Sequence, residues 1–179
     1  MSDEKIISNT IDFVKSTLKD AEGGHDWFHV MRVWNNAKII SERENVNLLV
    51  VELGALLHDI ADSKFHDGDE TIGPKIAQEF LKSQQVDPQI VQHIIQIINS
   101  ISFKSTLSTK KADFRQKFRS PELDIIQDAD RLDAIGAIGI ARCFNYGGYK
   151  NRALYDPNIP AKLNQSKESY KNSNTPSIN

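Results

Sequence analysis

The length, composition and charge of this chain describe one globular domain and exclude several classes of protein. The chain has 179 residues, of which 39% are hydrophobic and 26% charged, as in an ordinary globular protein with one core. Its net charge of -2 argues against a general attraction to nucleic acid or anionic lipid. The single cysteine cannot form an internal disulfide, and no apolar run approaches the roughly 18 residues that a membrane span needs. Because no basic and apolar leader follows Met1, we expect a cytoplasmic protein.

The first part of the chain is patterned for helices. Apolar residues recur at spacings of three and four over residues 5–19, which predicts an amphipathic helix that ends before Gly23. Asp26 stands where it can cap a second helix, and Asn47 where it can cap a third. The third helix, predicted from Leu48 to Ile60, is apolar on nearly all sides, which is typical of a helix buried on several faces.

The helical pattern continues in the second part, with one basic interruption. A polar loop precedes a fourth helix, and the pair Asp87-Pro88 predicts the start of a fifth. Residues 102–120 lose the apolar period and carry six basic residues against one acid, which indicates either an exposed stretch or a lid over a polyphosphate. Pro121 restarts the helical pattern, and a last helix is predicted from about Asp130 to Asn145.

No stretch alternates between apolar and polar residues over a useful length, and no internal repeat is visible. The sequence therefore predicts an all-α fold, a compact helical bundle without coiled-coil heptads. From Tyr149 onward the chain is polar and rich in Asn and Ser. We expect residues 151–179 to form a polar tail, as loop or disorder.

Three separated segments carry residue types that bind metal ions. His29 follows the expected cap of the second helix, His58-Asp59 stands near the end of the apolar third helix, and an acidic cluster spans Asp128–Asp133. A polar pair in an apolar helix is costly to bury unless it is satisfied, and a metal ion would satisfy both side chains. Two imidazoles and two carboxylates are sufficient to bind a divalent cation and to activate a water molecule. The sequence therefore predicts a metal site built from these segments.

Each of these features has a more ordinary explanation when it is taken alone. A His-Asp pair often makes only a hydrogen bond at a helix end, and a single His on an amphipathic helix is usually structural. Acids at a helix start usually act as caps, and we expect the acidic cluster to lie at such a start, where Arg131 and the helix dipole offset part of its charge. The metal prediction depends on the three segments occurring together in one helical chain.

The order of these residues resembles that of the HD-domain superfamily of metal-dependent phosphohydrolases. The likeness is carried by H-D-W-F-H-V-x-R-V at residues 25–33, A-L-L-H-D-I-A-D-x-K-F at 55–65 and D-A-D-R-L-D-A-I-G at 128–136. These segments are similar to those of small stand-alone bacterial HD proteins, a branch that includes manganese-dependent (deoxy)nucleoside triphosphate pyrophosphohydrolases. The resemblance implies an HD-type helical domain over residues 1–150, with its metal core at about 23–150.

The resemblance also implies a set of metal ligands. By the pattern of the family, His29, His58, Asp59 and Asp130 would hold one divalent metal ion. Manganese is favoured, and iron, nickel, cobalt or magnesium are compatible with two nitrogen and two carboxylate ligands. The three segments contain no cysteine, which argues against a structural zinc site.

Two residues of the second segment are candidates for catalysis. Asp62 lies three residues after Asp59 and could orient or deprotonate the water, a role that the resemblance supports. Alternatively, Asp62 could only cap the start of the loop that follows. Lys64 is the first candidate for gripping a phosphate, because it is nearest in sequence to the His-Asp pair.

Four further residues are candidates for substrate binding. Lys104 and Arg131 follow Lys64 as phosphate ligands. His25 and Asp26 could bind water or phosphate, or could simply cap the second helix.

These observations predict a metal-dependent phosphohydrolase that acts on a small-molecule nucleotide, and the resemblance favours a nucleoside triphosphate pyrophosphohydrolase. The alternatives are a non-catalytic sensing module that keeps the metal or nucleotide site, and a helical interaction protein. Nucleic acid is a less favoured partner, and no membrane partner is expected. Similar proteins continue past an Asn/Thr-rich loop into further helices, so an end at Asn179 predicts either a truncated chain or a member that lacks them.

Overall fold

The described part of the chain is helical. The computed structural model describes residues 1–21, 24–61, 69, 71–101, 118–160 and 175–178. These residues form seven helices and no strand, which confirms the all-α fold class. The helices are α1 (Asp3–Thr17), α2 (Trp27–Ser41), α3 (Leu48–Leu57), α4 (Ile72–Ser83), α5 (Pro88–Ser100), α6 (Pro121–Leu132) and α7 (Gly136–Tyr149). None of the helices in these ranges is long and apolar enough to cross a bilayer.

The chain divides into two compact units. The first comprises Met1–Ile101 and Phe118–Asp133 and holds α1 to α6. The second comprises Ser102–Lys117 and Ala134–Asn179 and holds α7. The described residues after α7 form turns and bends rather than helix, and the domain boundary at residue 150 stays a prediction.

Polar side chains cap the helices at the positions that the sequence indicates. Asp26, Asn47 and Asp87 accept hydrogen bonds from backbone N–H groups in the first turns of α2, α3 and α5. Ser120 does the same for α6, whose first residue is Pro121. These bonds satisfy donors that a helix start otherwise leaves unpaired, so each helix begins at a defined residue.

Helix α3 forms the centre of the first unit. It packs against α1, α2, α5 and α6, and its residues Leu53, Leu56 and Leu57 are fully buried. The approach of α6 is close, because a Cβ atom added at Gly54 would lie 2.7 Å from Ile126 Cδ1. A helix surrounded in this way is apolar on nearly all sides, as predicted, and His58 lies at its C-terminal end.

Helix α7 ends at Tyr149 rather than at about Asn145, and two helix boundaries near the acidic and His-Asp segments also differ from the sequence prediction. Helix α3 ends at Leu57, so His58 is its C-cap residue rather than part of a helix that continues to Ile60. The prediction that a helix starts at Asp130 is wrong, because the buried positions of α6 continue through Ala129 and the helix ends only at Leu132. The acids therefore lie at a helix C-terminus, where the helix dipole adds negative charge instead of offsetting it.

Candidate metal centre

Three side chains from three helices converge in the first unit. His29 lies in the first turn of α2, His58 caps the end of α3, and Asp130 lies in the last turn of α6. Each offers one ligand atom, and these atoms all lie within 4.8 Å of one another. Asp130 Oδ1 is 3.5 Å from Nε2 of His29 and 3.9 Å from Nε2 of His58. The fold thus brings together two nitrogens and one carboxylate from positions far apart in the sequence.

The ring of His58 is fixed with one nitrogen facing this cluster. Its side chain is only 4% exposed, and Nδ1 donates a hydrogen bond to the carbonyl oxygen of Ala55 at 2.8 Å. Nε2 is buried and has no hydrogen-bond partner among the described residues. A buried polar atom without a partner costs about 1–3 kcal/mol. A metal ion bound to Nε2 would remove that cost, so the donor set fits a divalent cation.

His29 is held by bonds at both its backbone and its ring. Its backbone N–H donates to Asp26 Oδ1 at 3.0 Å, which is the cap of α2. Its ring is 1% exposed, and Nδ1 donates to Asp133 Oδ2 at 2.7 Å. The other nitrogen, Nε2, faces Asp130 and Asp59. The geometry therefore leaves Nε2 as the ligand atom of His29.

Asp133 and its partner Arg32 contact the cluster through His29, and the sequence alone did not assign either of them to the site. Arg32 Nε and Nη2 donate to the two carboxylate oxygens of Asp133 at 2.6 and 3.0 Å. Burial works to raise the pKa of Asp133, but the hydrogen bonds from His29 and Arg32 hold it well below its ordinary value. The bond to Asp133 also raises the pKa of Arg32. One signal was available: Asp133 follows Asp130 by one helical turn and so lies on the same face.

Asp59, a predicted ligand, lies at the edge of the cluster. Its Oδ2 atom is 3.9 Å from Nε2 of His29 and 3.9 Å from Nε2 of His25. It is not one of the three residues whose ligand atoms lie mutually within 4.8 Å. Asp59 therefore lies beside the cluster, next to His29, and His25 lies next to Asp59.

The other predicted site residues lie at a helix cap, at an exposed position or outside the described residues. Asp26 caps α2 through its carboxylate, which is the alternative that the sequence left open for it. Arg131 is about half exposed and lies 3.4 Å from the exposed carboxylate of Asp128. Asp62, Lys64 and Lys104 lie outside the described residues.

The electrostatics of the cluster favour a cation. His58 and Asp130 both lie at helix C-termini, where unpaired carbonyl groups carry partial negative charge. Asp130 and Asp59 add carboxylates to the same region. Two imidazoles and nearby carboxylates at two negative helix ends form a site that attracts a divalent ion.

Comparison with known proteins identifies the family. The sequence profile of the HD domain matches residues 27–135, a range that contains all three converging side chains. This chain belongs to the HD-domain family. HD domains bind divalent metal ions, and His29, His58 and Asp130 could form such a site in this one.

Two curated relatives share much of the sequence of this HD-domain chain. The Bacillus subtilis protein YpgQ is 39% identical over 145 residues, which is 80% of this chain and 67% of YpgQ. A protein of Acanthamoeba polyphaga mimivirus is 31% identical over 163 residues, which is 83% of this chain and 64% of that protein. The chain thus spans about two thirds of the length of each relative.

Solved structures share the fold of this HD-domain chain. A Lactobacillus plantarum protein superposes with a TM-score of 0.80 at 29% identity, over 99% of this chain and 79% of that one. An HD-superfamily hydrolase from Bacillus thuringiensis has a TM-score of 0.66 at 37% identity, over 96% and 80%. YpgQ in complex with ADP has a TM-score of 0.65 at 32% identity, over 95% and 77%. The HD-domain chain therefore has the fold of an HD-superfamily hydrolase.

Proposed function

We propose that this HD-domain protein is a divalent-metal-dependent phosphohydrolase that acts on a nucleotide. Within this class, we propose that it converts nucleoside triphosphates to the monophosphate and pyrophosphate, with manganese as its metal. The observation that carries the proposal is the convergence of His29, His58 and Asp130, with the buried Nε2 of His58 unpaired among the described residues. An apolar helix that ends in such an atom is explained by a ligand at that place.

The cluster residues have distinct roles in this proposal. His29 and His58 bind through Nε2, Asp130 binds through its carboxylate, and Asp59 is the fourth ligand from the edge of the cluster. A divalent ion bound there lowers the pKa of a water molecule and neutralises charge on the phosphate. Asp62 orients or deprotonates that water.

Basic residues bind the phosphates in this proposal. Lys64 is the first phosphate ligand and contributes to catalysis, and Lys104 and Arg131 follow it. Arg131 is compatible with this role because its side chain is exposed and its pairing with Asp128 is loose. His25 contacts water or phosphate beside Asp59, and Asp26 supports the site through the cap of α2.

A relative supports a nucleotide as the ligand. YpgQ has been crystallised in complex with ADP and is 39% identical to this chain over 145 residues. A bound ADP is equally what a sensing module without turnover would hold, so that function is the second candidate. The two candidates differ in one measurable property, which is the release of product from a bound nucleotide.

Product release from a panel of nucleotides tests this proposal. The full chain with Mn²⁺ is incubated with ribo- and deoxyribonucleoside triphosphates and diphosphates, and pyrophosphate and phosphate are measured separately. We expect pyrophosphate from at least one triphosphate, and its loss in His58→Ala. His93→Ala is the matched control, since His93 lies outside the cluster and contacts Ser120 instead.

The outcomes separate the candidates. Pyrophosphate that depends on His58 and not on His93 supports the pyrophosphohydrolase. Nucleotide binding by the wild type without any product, with every metal tried, supports the sensing module. Turnover that His58→Ala leaves intact contradicts the proposed site.

A further inference from the structure

The last turn of α6 places two carboxylates against the same imidazole ring. Asp130 Oδ1 lies 3.5 Å from Nε2 of His29, whereas Asp133 Oδ2 lies 2.7 Å from Nδ1. The two acids are three residues apart, so they lie on one face of the helix. One helix therefore contacts both nitrogens of a residue that is 104 positions away from Asp133 in the chain.

The contact to Asp133 decides where the proton of His29 lies. An ionised carboxylate accepts hydrogen bonds and cannot donate them, so a bond of 2.7 Å requires a proton on Nδ1. A neutral imidazole has a single N–H, and Nε2 then keeps the lone pair that a metal ligand needs. Bonds of this kind fix the tautomer and the ring orientation of metal-binding histidines in general.

Arg32 prevents Asp133 from turning away. It donates to Oδ1 through Nε at 2.6 Å and to Oδ2 through Nη2 at 3.0 Å, a two-pronged contact that fixes the plane of the carboxylate. Asp133 is 2% exposed, so water has little access to compete for these bonds. Both carboxylate oxygens are thus committed as acceptors.

We propose that Asp133, clamped by Arg32, is a positioning residue that holds His29 as the Nδ1–H tautomer and so presents its Nε2 lone pair to the metal ion. The effect of this tautomer on metal binding rests on the proposed metal-dependent function. His58 is positioned in another way, by the backbone carbonyl of Ala55 in its own helix. Of the two histidines, His29 is the one whose tautomer is set by a side chain from outside its own helix, so the packing of α6 on α2 decides whether Nε2 is ready to bind a metal ion.

The substitution Asp133→Leu removes the acceptor of the Nδ1 proton. Leucine has a similar bulk but offers no oxygen, so the Nδ1–H group of His29 loses this bond. The carboxylates of Asp130 and Asp59 face Nε2 on the other side of the ring, so we expect the proton to move there. A proton on Nε2 blocks metal binding.

Nitrogen NMR of the imidazole rings tests the inference in the metal-free chain. At a pH where the rings are neutral, we expect His29 of the wild type to be protonated on Nδ1, and Asp133→Leu to move the proton to Nε2. His58 serves as the internal reference, since its bond to Ala55 is unchanged and it stays protonated on Nδ1. Mn²⁺ titrated into the same proteins should bind Asp133→Leu about 10- to 100-fold more weakly.

The matched control is Asp124→Leu, which removes a carboxylate from a partly exposed position of the same helix. It should change neither the His29 tautomer nor the affinity for Mn²⁺. A wild-type His29 protonated on Nε2 overturns the inference, and this measurement does not depend on whether any variant folds. An unchanged tautomer in a folded Asp133→Leu also overturns it. If the wild type has the expected tautomer but binds no metal, the proposed function fails and the positioning of His29 stands.

Discussion

Replacing His58 by leucine separates the stability of the fold from the binding of metal. The wild type buries Nε2 of His58 without a hydrogen-bond partner among the described residues, at a cost of about 1–3 kcal/mol. Leucine has a similar bulk and removes that cost, but it loses the bond from Nδ1 to Ala55, which is worth about 0.5–1.5 kcal/mol. The difference runs from about -0.5 to about 2.5 kcal/mol in favour of leucine. Without metal, His58→Leu should therefore be as stable as the wild type to within about 0.5 kcal/mol, or more stable.

Metal should reverse this order. A ligand present at about 100 times its dissociation constant adds roughly 2.7 kcal/mol to the free energy of unfolding of the protein that binds it. We expect this gain for the wild type with Mn²⁺ and no gain for His58→Leu. Urea unfolding followed by circular dichroism, with and without Mn²⁺, measures both effects.

His93→Leu is the control for this comparison. It loses a bond to Ser120 outside the cluster, so it should be less stable than the wild type and still gain stability from metal. A metal-free His58→Leu that is less stable than the wild type by more than about 2 kcal/mol would mean that Nε2 has a partner in the wild type. If Mn²⁺ stabilises His58→Leu as much as the wild type, His58 is not a metal ligand.

Two further predictions concern the stability of the fold. Burial works to raise the pKa of Glu122, but the N–H of Asn47 and other groups hold it below its ordinary value, so the ionised form stabilises the fold and this stability is lost as pH falls. Unfolding measured from about pH 6 to about pH 3 should show a steeper loss for the wild type than for Glu122→Gln, and equal slopes would contradict this. Gly54→Ala should destabilise because its Cβ would lie 2.7 Å from a buried Ile126, whereas Gly148→Ala has open space and should stabilise by about 0.5–1 kcal/mol. The same sign for both in thermal unfolding would show that packing does not decide the effect.

The local parts of the fold could be predicted from the sequence. Asp26, Asn47 and Asp87 cap helices where a short polar side chain precedes an apolar period. The apolar surface of α3 indicated burial on several faces, and Leu53 and Leu56 are fully buried. Such features depend on neighbours within a few residues, so the sequence carries them directly.

The break between α6 and α7 could not be predicted in the same way. The acids at 128–133 satisfy the pattern of a helix start, but Leu123, Ile126 and Ala129 keep α6 packed until its last turn. The chain then turns at Gly136, which has a φ of 65°, in the left-handed region that glycine adopts without steric cost. Packing against α2 and α3 decided the boundary, and that packing is not visible in local sequence.

The candidate site shows the same division. His29, His58 and Asp130 were predicted from residue type and from the family resemblance, and the structure brings them together. The partnership of Asp133 with His29 joins residues 104 positions apart, and Arg32 belonged to a motif of the resemblance without any role that the sequence could assign. Whether a particular acid binds a metal or orients a ligand depends on angles that only the folded chain fixes.

The proposed function requires that His29, His58 and Asp130 hold one divalent metal ion. Anomalous diffraction from a crystal of this chain grown with Mn²⁺ tests this, because the signal locates the metal itself. We expect one peak per chain, at metal-ligand bonding distance from Nε2 of both histidines and from a carboxylate oxygen of Asp130. A metal peak at another place, or no peak in a crystal grown with excess Mn²⁺, would show that these residues do not form the metal site.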